Sequence, residues 1–311
     1  MSNCMIVTPL ADQFADEIAR LAEFPIPLKA CSSAEQALVE YTDETVLFGN
    51  PAMIARIVPR LPLVDWVQSS WAGVTPLMDS DHRNYVLTGV KDVFGPQMSE
   101  YVFGFLLAHE LRVLERRNAQ LEHEWFKGHS GTLEGKHLGI MGTGSIGQHI
   151  AKTARAFGMR VSGLSRSGSP TSGFDEVMRV ALLHGFLENI DYLVATLPQT
   201  AATDNLLDAA ALARLPDHAY FVNVGRSNVV DDGALVDALH NNKLAGAALD
   251  VFDEEPIPAD SPLWDTPNLT ITAHIAAISH PLLLVPIFIE NYARYVKGEP
   301  LRYVIDFGAG Y

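Results

Sequence analysis

Residues 138–147 read Leu138-Gly139-Ile140-Met141-Gly142-Thr143-Gly144-Ser145-Ile146-Gly147, and this stretch decides the fold. The apolar run Leu138–Met141 reads as a buried strand. Ile146, Ile150, Ala154 and Phe157 then recur at helical spacing. Three glycines stand at the junction. Gly142 permits a tight turn, Gly144 lets a pyrophosphate approach the backbone closely, and Gly147 lets helix pack closely on strand. A helix opening there presents unpaired N–H groups and the positive end of its dipole to phosphate. Gly142, Thr143, Gly144, Ser145, Ile146 and Gly147 are therefore the expected dinucleotide cradle.

Which dinucleotide follows from the next strand. NAD-binding sheets carry an acid about 20 residues on, bonded to the ribose 2′-hydroxyl. Here the strand ends Leu164-Ser165-Arg166-Ser167, with no acid. A guanidinium flanked by hydroxyls suits a 2′-phosphate. The residues thus predict NADP(H) as the preferred cofactor, held by Ser165, Arg166 and Ser167, with NAD(H) as the alternative.

Outward from this unit the chain alternates short β-like runs with helical stretches, the pattern of an α/β protein with parallel sheets. After the glycine turn the expected strands are 137–141, 160–164, 191–197, 219–224, 244–249 and 269–272. The expected helices are 145–157, 175–187, 209–215 and 233–241. Before it, strands are expected at 5–7, 46–48, 64–68 and 85–88, and helices at 12–23, 35–40 and 52–58. Pro96 opens one long helix, 97–125, of roughly 40 Å at 1.5 Å per residue. A last helix, 281–296, contains Pro286 and is expected to kink there.

Composition excludes several functions. Lys and Arg number 22 against 37 Asp and Glu, a net charge of −15. Such a chain is repelled by nucleic acid and by anionic membranes. Two cysteines make no disulfide framework. The histidines other than His274 lie scattered, without metal-ligand spacing, and no metal is expected. Residues 1–10 lack the basic and apolar regions of a signal peptide. The apolar tract 282–289 falls short of the about 20 residues a spanning helix needs. The expectation is a soluble, cytoplasmic protein.

Three segments each bring one polar group to the carboxyl end of an expected strand, the edge where doubly wound sheets bind ligands. They are Asn223-Val224-Gly225-Arg226, Leu249-Asp250-Val251-Phe252-Asp253-Glu254-Glu255-Pro256 and Thr272-Ala273-His274. A cation, carboxylates and an imidazole converging there suit reduction of a 2-oxo acid.

Over nearly its whole length the chain resembles the D-isomer-specific 2-hydroxyacid dehydrogenase family. The resemblance is strongest in LEGKHLGIMGTGSIGQHIAKTARAFGMRV, NVGRSNVVDDGALVDALHNNKLAGAALDVFDEEPIP and NLTITAHIAAIS, which begin at Leu133, Asn223 and Asn268. The length looks most like the short glyoxylate/hydroxypyruvate reductase branch. The resemblance implies catalytic roles for Arg226, Glu255 and His274. His274 would protonate the carbonyl oxygen while the cofactor delivers hydride. Glu255 would fix its tautomer, with Asp253 and Glu254 as neighbouring candidates. Arg226 would bind the substrate carboxylate. It further implies Trp71, Ala72 and Gly73 at the substrate, the last two through backbone amides. Thr196, Leu197 and Pro198 would line the adenosine side. Val224, Gly225 and Asp250 would lie near the nicotinamide, with Asp250 holding its amide. Ala273 stands where the family usually has proline.

The expected fold class is therefore α/β with two doubly wound domains. A Rossmann cofactor domain, 96–278, is inserted in a flavodoxin-like substrate domain, 1–95 plus 279–311. The resemblance also implies a homodimer acting on small 2-oxo or 2-hydroxy acids. The alternatives are a dehydrogenase for bulkier 2-oxo acids and a non-catalytic dinucleotide-sensing protein.

Overall fold

The structure is a computed structural model that describes residues 3–308. The chain divides into two compact units, Met1–Val93 with Ser279–Tyr311, and Phe94–Ile278.

In the first unit β1 (Cys4–Val7), α1 (Ala11–Leu21), β2 (Leu28–Cys31), α2 (Ala34–Glu40), β3 (Val46–Gly49), α3 (Pro51–Ile57), β4 (Trp66–Ser69), α4 (Thr75–Met78) and β5 (Val86–Thr88) follow in turn. The strands form one parallel sheet in the order β2-β1-β3-β4-β5, the flavodoxin-like order. Every residue of β1, β3 and β4 is buried. These strands are covered on both faces, so β1 and β3 read as nearly continuous apolar runs rather than alternating ones, while β4 also buries Gln68 and Ser69. Strand β2 has no such run. It lies at the sheet edge, is mostly half-buried and includes Lys29, and so escapes sequence reading.

In the second unit α5 (Gly95–Glu110) and α6 (Val113–Leu121) come first. Next are β6 (His137–Met141), α7 (Ser145–Ala156), β7 (Arg160–Ser165), β8 (Glu176–Arg179), α8 (Leu183–Leu187) and β9 (Tyr192–Ala195). The unit ends with α9 (Ala209–Leu212), β10 (Tyr220–Asn223), α10 (Asp232–His240), β11 (Gly246–Leu249) and β12 (Leu269–Ile271). All seven strands are parallel, in the order β12-β11-β10-β9-β6-β7-β8. This is the doubly wound order, reversing direction between β6 and β9. The chain then returns to the first unit through α11 (Pro281–Val296). There Phe288 stacks on Phe48 at 4.5 Å and on Trp66 at 5.7 Å. Buried Asn291 donates to Gln68 Oε1 over 3.1 Å.

Two expectations are corrected. Residues 175–187 do not form one helix. Residues 176–179 are edge strand β8, and the helix is only Leu183–Leu187. Edge pairing overrides local pattern here: the Asp175 carboxylate accepts the Val161 N–H at 2.8 Å, and Glu176 pairs with Arg160 at 2.8 Å. The expected helix 97–125 is two helices, broken where Arg112 turns left-handed at φ 52°. The Arg112 guanidinium sits 4.8 Å from the Phe126 ring centroid, and Arg116 Nε donates to the Leu111 carbonyl at 2.7 Å. These contacts hold the break. Helix α11 has its expected bounds, with Pro286 inside it.

Candidate active site

Parallel strands deliver their carboxyl ends to one edge of the second unit's sheet. Gly142 leaves β6 at φ 111°, which favours glycine, and a Cβ there would lie 2.5 Å from Thr196 Oγ1. That hydroxyl, just past β9, donates to the Met141 carbonyl at 3.1 Å. A Cβ on Gly147 would fall 2.0 Å from the Gly142 carbonyl, so the first turn of α7 sits directly on the β6 exit. Gly144 differs. A Cβ there would meet nothing within 4 Å, and no side chain caps α7. The first amides of α7 thus face open space, as a pyrophosphate cradle requires. The donor set and that opening fit a dinucleotide.

The neighbouring strand exit is equally close. Gly225 lies so near β9 that a Cβ would be 2.8 Å from the Leu197 backbone N and O. Pro198 continues that segment, and its carbonyl accepts the Thr203 hydroxyl at 2.8 Å. Buried Asn223 fastens the turn after β10: its Oδ1 accepts Gly225 N–H and its Nδ2 donates to the Arg226 carbonyl, both at 3.0 Å. Val224 is buried beneath. Arg226 Nη1 reaches back to the Gly225 carbonyl at 2.7 Å. Burial pulls the guanidinium below its usual pKa, and the Glu255 carboxylate pushes the other way. Arg226 is therefore a partly desolvated cation close to an acid.

Of the three candidate acids, Glu255 meets the imidazole. Glu255 Oε2 lies 2.9 Å from His274 Nδ1 and Oε1 3.2 Å away. Oε1 also accepts the Phe252 N–H at 3.0 Å, which orients the carboxylate. Asp253 and Glu254 are exposed. Asp253 instead acts on Asp232, whose carboxyl is pushed up to about 6, mainly by burial. A carboxylate can only accept, so Nδ1 carries a hydrogen, and Nε2 is left to hold or release the second proton.

His274 itself has φ 52°, an uncommon conformation for a residue with a side chain. Asp250 holds it there. The carboxylate, 1% exposed, accepts Thr272 Oγ1–H at 2.6 Å and the Ile275 and Ala276 amides at 2.8 Å each. Its backbone carbonyl takes the His274 N–H at 2.9 Å. Helix α5 adds two clasps one turn apart. Tyr101 OH lies 2.6 Å from Thr272 Oγ1, and Gln97 bonds both the N–H and the C=O of Ile278. The family resemblance implies Asp250 as a ligand for the nicotinamide amide. In the structure its carboxylate also accepts three hydrogen bonds from the His274 loop. Thr272, Tyr101 and Gln97 carry no sequence signal: polar residues on a helix face or at a strand end are commonplace.

At the end of β7, Ser165, Arg166 and Ser167 begin a tight loop. Ser165 Oγ accepts the Gly168 N–H at 3.0 Å and Ser167 Oγ the Ser169 N–H at 3.2 Å. In the first unit, Trp71, Ala72 and Gly73 follow β4 at the carboxyl edge of that sheet. The Ser69 hydroxyl bonds both the N–H and the C=O of Trp71, and the Trp71 side chain is 41% exposed. Among the described residues no His, Cys, Asp and Glu group is arranged to hold a metal ion, and no helix is long and apolar enough to cross a membrane.

The chain is similar in sequence and fold to known proteins. Residues 103–276 match the sequence model of the D-isomer specific 2-hydroxyacid dehydrogenase NAD binding domain. Glyoxylate/hydroxypyruvate reductase A of Salmonella newport is 34% identical over 217 residues, 70% of each chain. A crystal structure of a D-isomer specific 2-hydroxyacid dehydrogenase family protein from Aeromonas salmonicida superposes with a TM-score of 0.94 and 38% identity, covering 98% of this chain and 99% of that one. The NADPH-dependent glyoxylate/hydroxypyruvate reductase of Sinorhizobium meliloti, crystallised with NADP and sulfate, superposes at 0.86 with 27% identity over the full length of both. With its nucleotide sheet and its Arg226, Glu255 and His274 edge, the chain belongs to the D-isomer specific 2-hydroxyacid dehydrogenase family, oxidoreductases acting on the CH–OH group of 2-hydroxy acids.

Proposed function

We propose that the protein reduces small 2-oxo acids of the glyoxylate and hydroxypyruvate type to D-2-hydroxy acids with NADPH. One observation carries this reading: the His274–Glu255 pair, at 2.9 Å, stands on the same sheet edge as half-buried Arg226 and the uncapped start of α7. The NADP complex of the Sinorhizobium relative supports the cofactor, and the Salmonella relative's name supports the substrate class.

NADPH, when bound, supplies hydride to the carbonyl carbon. The residues do the rest. Arg226 pairs with the substrate carboxylate and sets the carbonyl in line; its partial burial strengthens that pairing. His274 gives its Nε2 proton to the carbonyl oxygen as the C=O π bond breaks. The imidazole is left neutral and regains a proton from solvent. Glu255 keeps a hydrogen on Nδ1 and offers a counter-charge when both ring nitrogens are protonated. The loop bonds to Asp250 fix where the imidazole stands. Gly142 to Gly147 and the α7 amides take the pyrophosphate. Thr196, Leu197 and Pro198 border the adenosine, and Val224 and Gly225 border the nicotinamide.

Initial rates with NADPH and NADH, each with glyoxylate, hydroxypyruvate, pyruvate and phenylpyruvate, test this directly. Turnover is expected with NADPH and the small acids. His274→Gln should abolish turnover while leaving dinucleotide binding intact. Full activity in that variant would overturn the assignment, and a preference for phenylpyruvate would move the substrate to bulkier acids.

The same reading makes the protein a homodimer. Leu111, Val113, Leu114 and Leu121 are exposed, and Trp125 is 87% exposed, all within one short stretch of the second unit. Exposed apolar side chains this close in sequence support an association surface there. Light scattering on the eluting protein should give twice the chain mass, and Trp125→Glu should shift it toward one.

A further inference from the structure

The loop after β7 is built over a residue from the next strand. Arg179 ends β8 and pairs with Ser165 in the parallel ladder. Its Nε donates to the Ser167 carbonyl at 2.9 Å. Gly168 crosses above it at φ 67°, where a Cβ would lie 2.6 Å from Arg179 Cγ. Nε is thus the anchor, and the side chain is exposed. Among the described residues no carboxylate pairs with its terminal nitrogens. Ser165 and Ser167 act as acceptors toward Gly168 and Ser169, so each hydroxyl keeps its own hydrogen for a further acceptor. The loop therefore gathers hydroxyl donors and a guanidinium fork at one place. The chain as a whole carries a net charge of −15, so anion binding needs such a local concentration of cations.

We infer that Arg179 is a second cation for the 2′-phosphate of NADPH, acting beside Arg166 and the Ser165 and Ser167 hydroxyls, and that it helps set the preference for NADPH over NADH. This rests on the reading that the enzyme uses NADPH at this edge. A phosphate monoester near neutral pH carries close to two negative charges, more than one guanidinium neutralises. A guanidinium pinned through Nε offers both terminal nitrogens in a planar fork matched to phosphate. Arg179 reaches this place because residues 176–179 are a strand beside β7; on a helix, as the sequence pattern suggests, it would not share a ladder with Ser165.

The test is equilibrium binding of adenosine 2′,5′-bisphosphate and of 5′-AMP, with NADPH and NADH as a second pair. Arg179→Gln suits it, because the glutamine amide nitrogen can occupy the Nε position and keep the bond to Ser167 while the terminal nitrogens vanish. The expected result is a loss of about tenfold or more for the bisphosphate and for NADPH, with 5′-AMP and NADH unchanged. Arg179→Lys, which keeps charge without the fork, should fall between and stands in if the glutamine variant fails to fold. Retained bisphosphate preference in both Arg179 variants, with loss in Arg166→Gln, would overturn the inference and leave the NADPH reading standing. Equal weakening of bisphosphate and 5′-AMP would reduce Arg179 to a support for the loop and also overturn it. A wild-type protein without preference for the 2′-phosphate ligands would remove the NADPH reading itself.

Discussion

Replacing Asp250 by asparagine tests how the His274 loop is held. The carboxylate accepts from Thr272 at 2.6 Å and from the Ile275 and Ala276 amides at 2.8 Å. Asparagine has one accepting oxygen. Its best orientation keeps that oxygen on Oδ1's two donors, Thr272 and Ile275, and turns the NH2 group toward the Ala276 N–H. One charge-assisted bond is lost, worth about 1.5–3 kcal/mol, and two others become neutral, losing about 1 kcal/mol each. At 1% exposure, water cannot repair the mismatch. The sum is about 3–5 kcal/mol of local stability, or a factor of at least about 100. Amide hydrogen exchange reads it directly: peptides containing Ile275 and Ala276 should exchange about 100-fold faster in Asp250→Asn. Turnover should fall along with loop protection. If exchange in this loop is unchanged and only the KM for the dinucleotide rises, the carboxylate works on the nicotinamide amide after all, and the loop argument is wrong.

The two inner glycines of the cradle should behave oppositely. Gly147→Ala sets a Cβ 2.0 Å from the Gly142 carbonyl and should cost more than about 3 kcal/mol in chemical denaturation. Gly144→Ala has open space around it and should leave stability within about 0.5 kcal/mol, yet weaken dinucleotide binding by titration. On pH, burial lowers the pKa of His137 below the ordinary 6.5, against the opposing pull of Glu176 and Asp191. The unfolded chain then binds protons that the folded one resists. Stability is present above that ordinary value and lost as pH falls through it. The melting temperature should drop between about pH 7.5 and about pH 5.5, and by less in His137→Gln. An equal drop in both proteins would exclude His137 as a source.

The two sheets were legible because parallel strands covered on both faces are mostly apolar. β6 and α11 match their expected bounds, and the glycine turn announces itself. The edge strands were not. β2 and β8 are half-buried and carry Lys29, Glu176 and Arg179. Their partners lie on other strands, so nothing local favours a strand there. The break at Arg112 was hidden for the same reason, since Phe126 holds it from outside the helix.

At the site, the sequence by itself determined the chemical types and their order: three glycines, an arginine, a run of acids and a histidine, each after a strand. Chain connectivity and strand direction suffice to send such residues to one edge. Only the tertiary structure decided which acid meets His274, that Asp250 accepts three bonds from its loop, that Tyr101 reaches Thr272, and that Arg179 lies against the loop after β7. Hydrogen bonds act over about 3 Å, and residues as far apart in sequence as Tyr101 and Thr272 come within that distance only once helix and sheet have packed.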